Sequence, residues 1–232
     1  MREIAIDTYV HALNRGAKKL PIYRQKSDLW RLLFNLFYLN SEHVPENWAR
    51  ELESRDALKN LTWPDDWGEK IPLVSVLAFT IMPNHFHFIL KGLSDGGISK
   101  FMQKVSMAYS KYINAKYEES GSLFQGIYKS VTIRSDEQLR YLAVYVMVKN
   151  TFELYPNGGF AGAVKDFDAA YEWAIEYPFT SLGDYAGARR SPIVDRDIFG
   201  EMFSQPTEFK AFARDFVLGK NIEEQAGQIF LE

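Results

Sequence analysis

The chain has 232 residues, 47% hydrophobic and 25% charged, the proportions of a globular protein, so collagen-like, disordered and coiled-coil classes are excluded. A chain of this length can bury roughly 70% of its unfolded surface in one core and is expected to fold unaided. Without cysteine it has no disulfide, thiolate zinc site, iron–sulfur cluster or cysteine nucleophile, so any metal must be held by histidine and oxygen ligands.

The net charge of -3 hides an asymmetry: residues 91–150 carry nine basic against five acidic side chains, and residues 151–232 carry seven against fourteen. Phosphate binding depends on local charge, so the basic middle is compatible with a DNA partner. No stretch approaches the ~18 uninterrupted apolar residues of a membrane span. The opening MREIAIDTYV lacks the basic-then-apolar layout of a secretion signal, and a cytoplasmic protein without a membrane partner is expected.

Ile4 to Asn14 suits a strand, followed by a basic turn at Arg15-Gly16-Ala17-Lys18-Lys19. Ser27 or Asp28 caps a helix running to Leu39, whose Trp30, Leu33, Phe34 and Phe37 recur at helical spacing. Residues 41–72, polar and broken by Pro45, Pro64 and Pro72, read as a long excursion with one short helix. The run LVSVLAFTIMPNHFHFIL at 73–90, interrupted only by Met82-Pro83-Asn84, predicts two central strands joined by a tight turn, or one strand with a break.

Gly96-Gly97 precede an amphipathic helix with Ile98, Phe101, Met102, Val105, Tyr109 and Ile113 on one face. Leu123 to Ile133 reads as a strand, and Ser135 caps a helix from Glu137 to about Asn150. Acidic short helices come next, near 195–218. The order predicts an α+β fold, helices covering a mainly antiparallel sheet. Residues 1–155 form the main domain, and 156–232 an extension packed on it.

His85 and His87 stand two apart in an apolar strand. Alternation points both imidazoles to one face and Phe86 and Phe88 to the other, so both rings can reach one ion, with positions left for water, a carboxylate or amide, and substrate oxygen. The competing reading is a pair of hydrogen-bonded histidines on a polar patch. On the last helix Tyr141 and Tyr145 are four apart and share a face. A tyrosine facing a metal-bound phosphate can act as a nucleophile, and core packing is the competing reading.

The stretch Ile81-Met82-Pro83-Asn84-His85-Phe86-His87-Phe88-Ile89-Leu90 resembles the signature of the HUH single-tyrosine transposases, especially the REP-associated tyrosine transposases. His11-Ala12-Leu13-Asn14-Arg15-Gly16 with Pro21-Ile22-Tyr23, Tyr109 to Asn114, Gly121 to Ser130, Tyr177 to Leu182 and Ile193-Val194-Asp195 are similar to further parts of that family, in order along the chain. The resemblance implies a ferredoxin-like core and an enzyme that cleaves and rejoins single-stranded DNA at hairpin-forming palindromes. Tyr145 would be the nucleophile, with Tyr141 as fallback, leaving a 5′-phosphotyrosine and a free 3′-hydroxyl. His85, His87 and Asn150 would hold Mg²⁺ or Mn²⁺.

DNA contacts would fall to Arg15, Lys18, Lys19, Lys100, Lys104, Lys111, Lys129 and Arg134; Trp63 and Trp67 are candidates for base stacking, with burial under the excursion the favoured alternative. The long extension implies a monomer, a dimer being the alternative. One departure stands out. The family places its tyrosine and polar ligand four apart, whereas here Lys149 is at four and Asn150 at five. Five residues on a regular helix rotate a side chain about 140° away, so Asn150 shares Tyr145's face only if the helix bulges or ends there. That offset motivates a second reading, a catalytically inactive module that binds hairpin DNA. A His-metal hydrolase of small molecules is a third, disfavoured by the lack of acidic ligands beside the two histidines.

Overall fold

The computed structural model describes residues 6–53 and 61–219. Four strands form one antiparallel sheet in the order β2-β3-β1-β4: β1 (Tyr9–Arg15), β2 (Val74–Met82), β3 (His85–Gly92) and β4 (Lys129–Thr132). Helix α1 (Lys26–Tyr38) connects β1 to β2, and α3 (Gly97–Tyr117) connects β3 to β4, giving the βαββαβ succession of a ferredoxin-like sheet. The intervening excursion contains α2 (Trp48–Glu53) and a 3₁₀ turn at Asp65–Trp67. Its Trp63 and Trp67 pack around Tyr38, against the core and not as a stacking platform for bases.

Each sheet face carries its own core. Phe86, Phe88 and Leu90 of β3 join Val10 and Ala12 of β1 under Phe101, Met102, Val105 and Tyr109 of α3 and Leu29, Leu32 and Leu36 of α1. Ile89 lies in the other core, with Leu77 and Ala78, beneath α4 (Asp136–Val144) and the helical turns that continue it. The strict alternation along β3 therefore sends its phenylalanines to one layer and its histidines to the other. A bulge between Val76 and Ala78 shifts the facing of β2 midway.

Two expected elements differ. The strand predicted from Leu123 to Ile133 is regular only over Lys129–Thr132; before it, Phe124 makes a single bridge to Gly16, and the chain bends at residues 125–127. The predicted helix 137–150 starts at Asp136, with Ser135 accepting from the Gln138 amide. It then passes through a π-helical turn at Tyr145–Lys149 before a last α-turn, α5 (Asn150–Phe152). The predicted start of the first strand at Ile4 lies outside the described residues.

Beyond 155 come α6 (Gly159–Lys165), α7 (Phe167–Glu176), α8 (Leu182–Tyr185), α9 (Asp197–Met202) and α10 (Pro206–Leu218). Phe167, Tyr171, Tyr185, Phe199, Phe209 and Phe216 share the second core with the residues of α4. Residues 179–181 lie along the outer edge of β2, with Ile81 N–H donating to Phe179 O and Ser181 N–H to Phe79 O, both at 2.9 Å. This covers an otherwise unpaired strand edge.

Candidate active site

The hairpin turn Pro83-Asn84 is held at its base by the basic turn after β1. Gly16 N–H donates to Asn84 O and Ile22 N–H to Pro83 O, both at 2.8 Å, and the Asn84 side-chain amide donates to Lys19 O at 3.1 Å. The fixed turn places Asn84 Oδ1 2.6 Å from His85 Nδ1. An amide oxygen only accepts, so Nδ1 donates this bond and Nε2 points away from the turn. The His85 and His87 ring centroids are 4.8 Å apart, as expected for neighbours on one face of a strand.

The register of β1 against β3 brings in a residue to which the sequence alone assigns no role. His11, fully buried, lies on the same face, and its Nε2 is 2.8 Å from His87 Nδ1. The two rings are nearly parallel, with centroids 5.1 Å apart. Only the strand register could reveal this pairing; the sequence shows just a polar residue at an inward position of an apolar strand. Burial first, and then the neighbouring His11, His85, Lys149 and Arg15, hold the His87 pKa well below its ordinary 6.5. The imidazole is neutral and chemically fit to be a ligand.

Tyr145 packs across these rings, its centroid 5.6 Å from His87 and 6.2 Å from His11, edge-on to both. The Lys149 ammonium lies 5.0 Å over the Tyr145 ring and pairs with Glu153. Tyr141 goes elsewhere: it packs on Phe212 and Phe216 of α10, at 5.7 and 5.8 Å. Of the two tyrosines considered, only Tyr145 is brought to the histidines.

The π turn changes the spacing argument. Asn150 N–H donates to Tyr145 O, an i→i+5 bond, so residue five takes the place above Tyr145 that residue four takes in an α-helix. Asn150 is 2% exposed, and its amide nitrogen has no hydrogen-bond partner among the described residues. A half-turn about its last bond exchanges nitrogen for oxygen, so this buried amide is chemically able to offer an oxygen ligand. Among the described residues no three His, Cys, Asp or Glu side chains converge to hold an ion. The two imidazoles and this amide are donor types that suit an ion whose remaining positions are taken by water and phosphate oxygen.

His87 and Tyr145 are buried and His85 is half-exposed, so His85 is the member of the three nearest to solvent. Arg15 faces it across the β1–β3 register and lines a cleft of about 270 Å³ with Asn14, Gln125, Gly126, Ile127 and Lys129. The Arg15 Nε is buried with no hydrogen-bond partner among the described residues. Lys18 and Lys19 are exposed in the turn after β1, and Arg134 is exposed just beyond β4. Lys100, Lys104 and Lys111 belong to α3, across the sheet from the histidines, and Lys104 is a tether whose ammonium donates to Ser41 O at 2.6 Å. The basic residues thus do not form one groove: Arg15 and Lys129 flank the site, and the α3 lysines do not.

Fold and site together define a class: an α+β protein whose antiparallel sheet presents His87 of one strand and His11 of its neighbour to a tyrosine on a covering helix, with His85 beside His87. Residues 69–149, less than half of the chain, match the family described as "Transposase IS200 like". The matched stretch contains His85, His87 and Tyr145; His11 and Asn150 lie outside it. No curated protein matches the chain. Among solved structures, it is similar to a REP-associated tyrosine transposase bound to a REP hairpin. The likeness is at 12% identity and a TM-score of 0.46, covering 83% of this chain and 87% of that one.

Proposed function

We propose that this protein is a metal-dependent endonuclease and strand transferase that acts on single-stranded DNA at hairpin-forming palindromes through a 5′-phosphotyrosine on Tyr145. The observation that carries the reading is the convergence of Tyr145 on His87 within the stretch similar to IS200-like transposases. His85 and His87, with the Asn150 amide, would hold Mg²⁺ or Mn²⁺. Such an ion supplies charge neutralisation on the scissile phosphate.

The chain's own residues do the rest. Asn84 and His11 engage the Nδ1 atoms of the two ligating rings and fix their orientation. The Tyr145 hydroxyl oxygen forms a bond to phosphorus as the bond to the 3′-oxygen breaks. The proton given up by the phenol balances the one taken up by the departing 3′-hydroxyl. The phosphodiester energy is kept in the tyrosine ester, and the 3′-hydroxyl of a second strand reverses the step without an external energy source. Arg15 and Lys129 are suited to phosphates flanking the site. The i→i+5 bond from the Asn150 N–H to Tyr145 O supports the active reading over the inactive module, because it sets Asn150 one turn on from Tyr145.

The test is a pool of oligonucleotides carrying imperfect palindromes flanked by randomised single strands, incubated with protein and Mn²⁺ and resolved on a denaturing gel. A covalent adduct is expected for the wild type and Tyr141→Phe and not for Tyr145→Phe. An adduct that persists in Tyr145→Phe, or none in the wild type, overturns the proposal.

A further inference from the structure

A π turn contains one residue more than the α-helical pattern accommodates, so it disturbs the ladder and leaves carbonyls in need of other donors. Here the turn is buried, with Val146, Met147 and Val148 fully covered, and water is not at hand to supply them. Thr80, on β2, places its hydroxyl oxygen 2.6 Å from Val146 O. The Thr180 hydroxyl is 2.9 Å from that of Thr80 and 3.4 Å from Met147 O, which also accepts from the Thr151 hydroxyl at 2.8 Å. Each hydroxyl has one proton, and the shortest contacts order them into a chain: Thr180 donates to Thr80, and Thr80 donates to Val146 O.

Both threonines are fully buried, and their positions link three parts of the molecule. Thr80 pairs directly with His87 in the β2–β3 register. Thr180 belongs to the segment of the C-terminal extension that bridges the outer edge of β2 at Thr80 itself. The hydroxyl chain thus ties the strand beside His87 to the backbone between Tyr145 and Asn150.

We infer that Thr80, oriented by Thr180, is a positioning residue: it stabilises the π register at 145–149, and so keeps Tyr145 and Asn150 on one face opposite His87. The inference rests on the reading of Tyr145 as the nucleophile for its consequence in catalysis, but the register itself is observable without activity. It also makes the C-terminal extension part of the machinery that aims the phenol.

Thr80→Val keeps the shape and removes the donor; Thr80→Ser keeps the donor. Two readouts are taken on the full chain, hydrogen exchange of the Asn150 amide and the single-turnover rate of adduct formation with the hairpin pool and Mn²⁺. Thr80→Val is expected to speed exchange of that amide at least tenfold, and to slow adduct formation at least tenfold with hairpin affinity unchanged. Thr80→Ser is expected to restore both to within about threefold of wild type.

Thr180→Val, which leaves the Thr80 proton in place, is expected to show the same two effects to a smaller degree and serves if Thr80→Val does not fold. Wild-type exchange in Thr80→Val, or a serine variant as impaired as the valine one, overturns the inference; with unfolded Thr80→Val, wild-type exchange in Thr180→Val overturns it. Absence of an adduct in the wild type defeats the functional reading, and the exchange comparison still decides the register.

Discussion

Each imidazole of the candidate pair has its Nδ1 engaged by a different neighbour, Asn84 on the hairpin turn and His11 on the adjacent strand. Such partners orient ligand rings, and their loss typically lowers metal affinity by 10–100-fold. His11→Ala is therefore expected to weaken Mn²⁺ binding about tenfold or more, read by isothermal titration calorimetry on folded protein; unchanged affinity would contradict the assigned role. Two-residue spacing in an apolar strand is enough to foresee that His85 and His87 face one way. It cannot reveal His11, because that contact joins residues 76 positions apart and exists only through the β1–β3 register. That the lysines of α3 lie across the sheet from the histidines is hidden for a related reason, since sequence gives the sign of a charge but not the layer that displays it.

At the scale of elements, α1 and α3 are fastened to one another through a single buried carboxylate. The cap of α1 is Gln25, not Ser27 or Asp28; Asp28, the third residue of the helix, reaches back to accept from the Arg24 and Gln25 amides, and from α3 it receives Lys116 at 2.6 Å, Tyr117 at 2.7 Å and Tyr112 at 3.1 Å. Burial opposes its ionisation, but Lys116, the Arg24 amide, Tyr117 and the Gln25 amide outweigh it and hold the pKa at about 2.

A lowered folded-state pKa means stability that is fully present above the ordinary 3.8 and is lost as the pH falls toward about 2. Denaturant unfolding between pH 5 and 2.5 should show this loss in the wild type and less of it in Asp28→Asn, which should be about 2 kcal/mol less stable near neutrality. Equal pH slopes would refute the role given to Asp28. The β2–β3 hairpin is legible in the sequence because a long apolar run is interrupted only by Pro-Asn. The π turn is not, because residues 145–149 read as ordinary helix and the donor to Val146 O comes from a strand far off in the chain.

In the molecule as a whole, the C-terminal extension and the sheet share one core, and Arg189 pins the segment that covers the β2 edge. Its guanidinium pairs with Asp184 at 3.0 Å and donates to Tyr177 O and Thr180 O. Asp184 is 5% exposed, so Arg189→Ala leaves a buried carboxylate without its counter-charge. A loss of about 3 kcal/mol in unfolding free energy is expected, with faster amide exchange at Ile81 and Ser181; a change under about 0.5 kcal/mol, the range of an ordinary surface substitution, would contradict it. The layered α+β plan is implied by the order of strands and helices. How tightly residues beyond 155 engage the site is not, because the Thr80–Thr180 bridge leaves no periodic trace.

The central claim is that one particular phenol takes the phosphate. Adducts formed with the hairpin pool and Mn²⁺, digested with nuclease and protease, can be mapped by tandem mass spectrometry. A nucleotide carried on Tyr145 alone is the predicted result, and a nucleotide on Tyr141, on another side chain, or on none would contradict it.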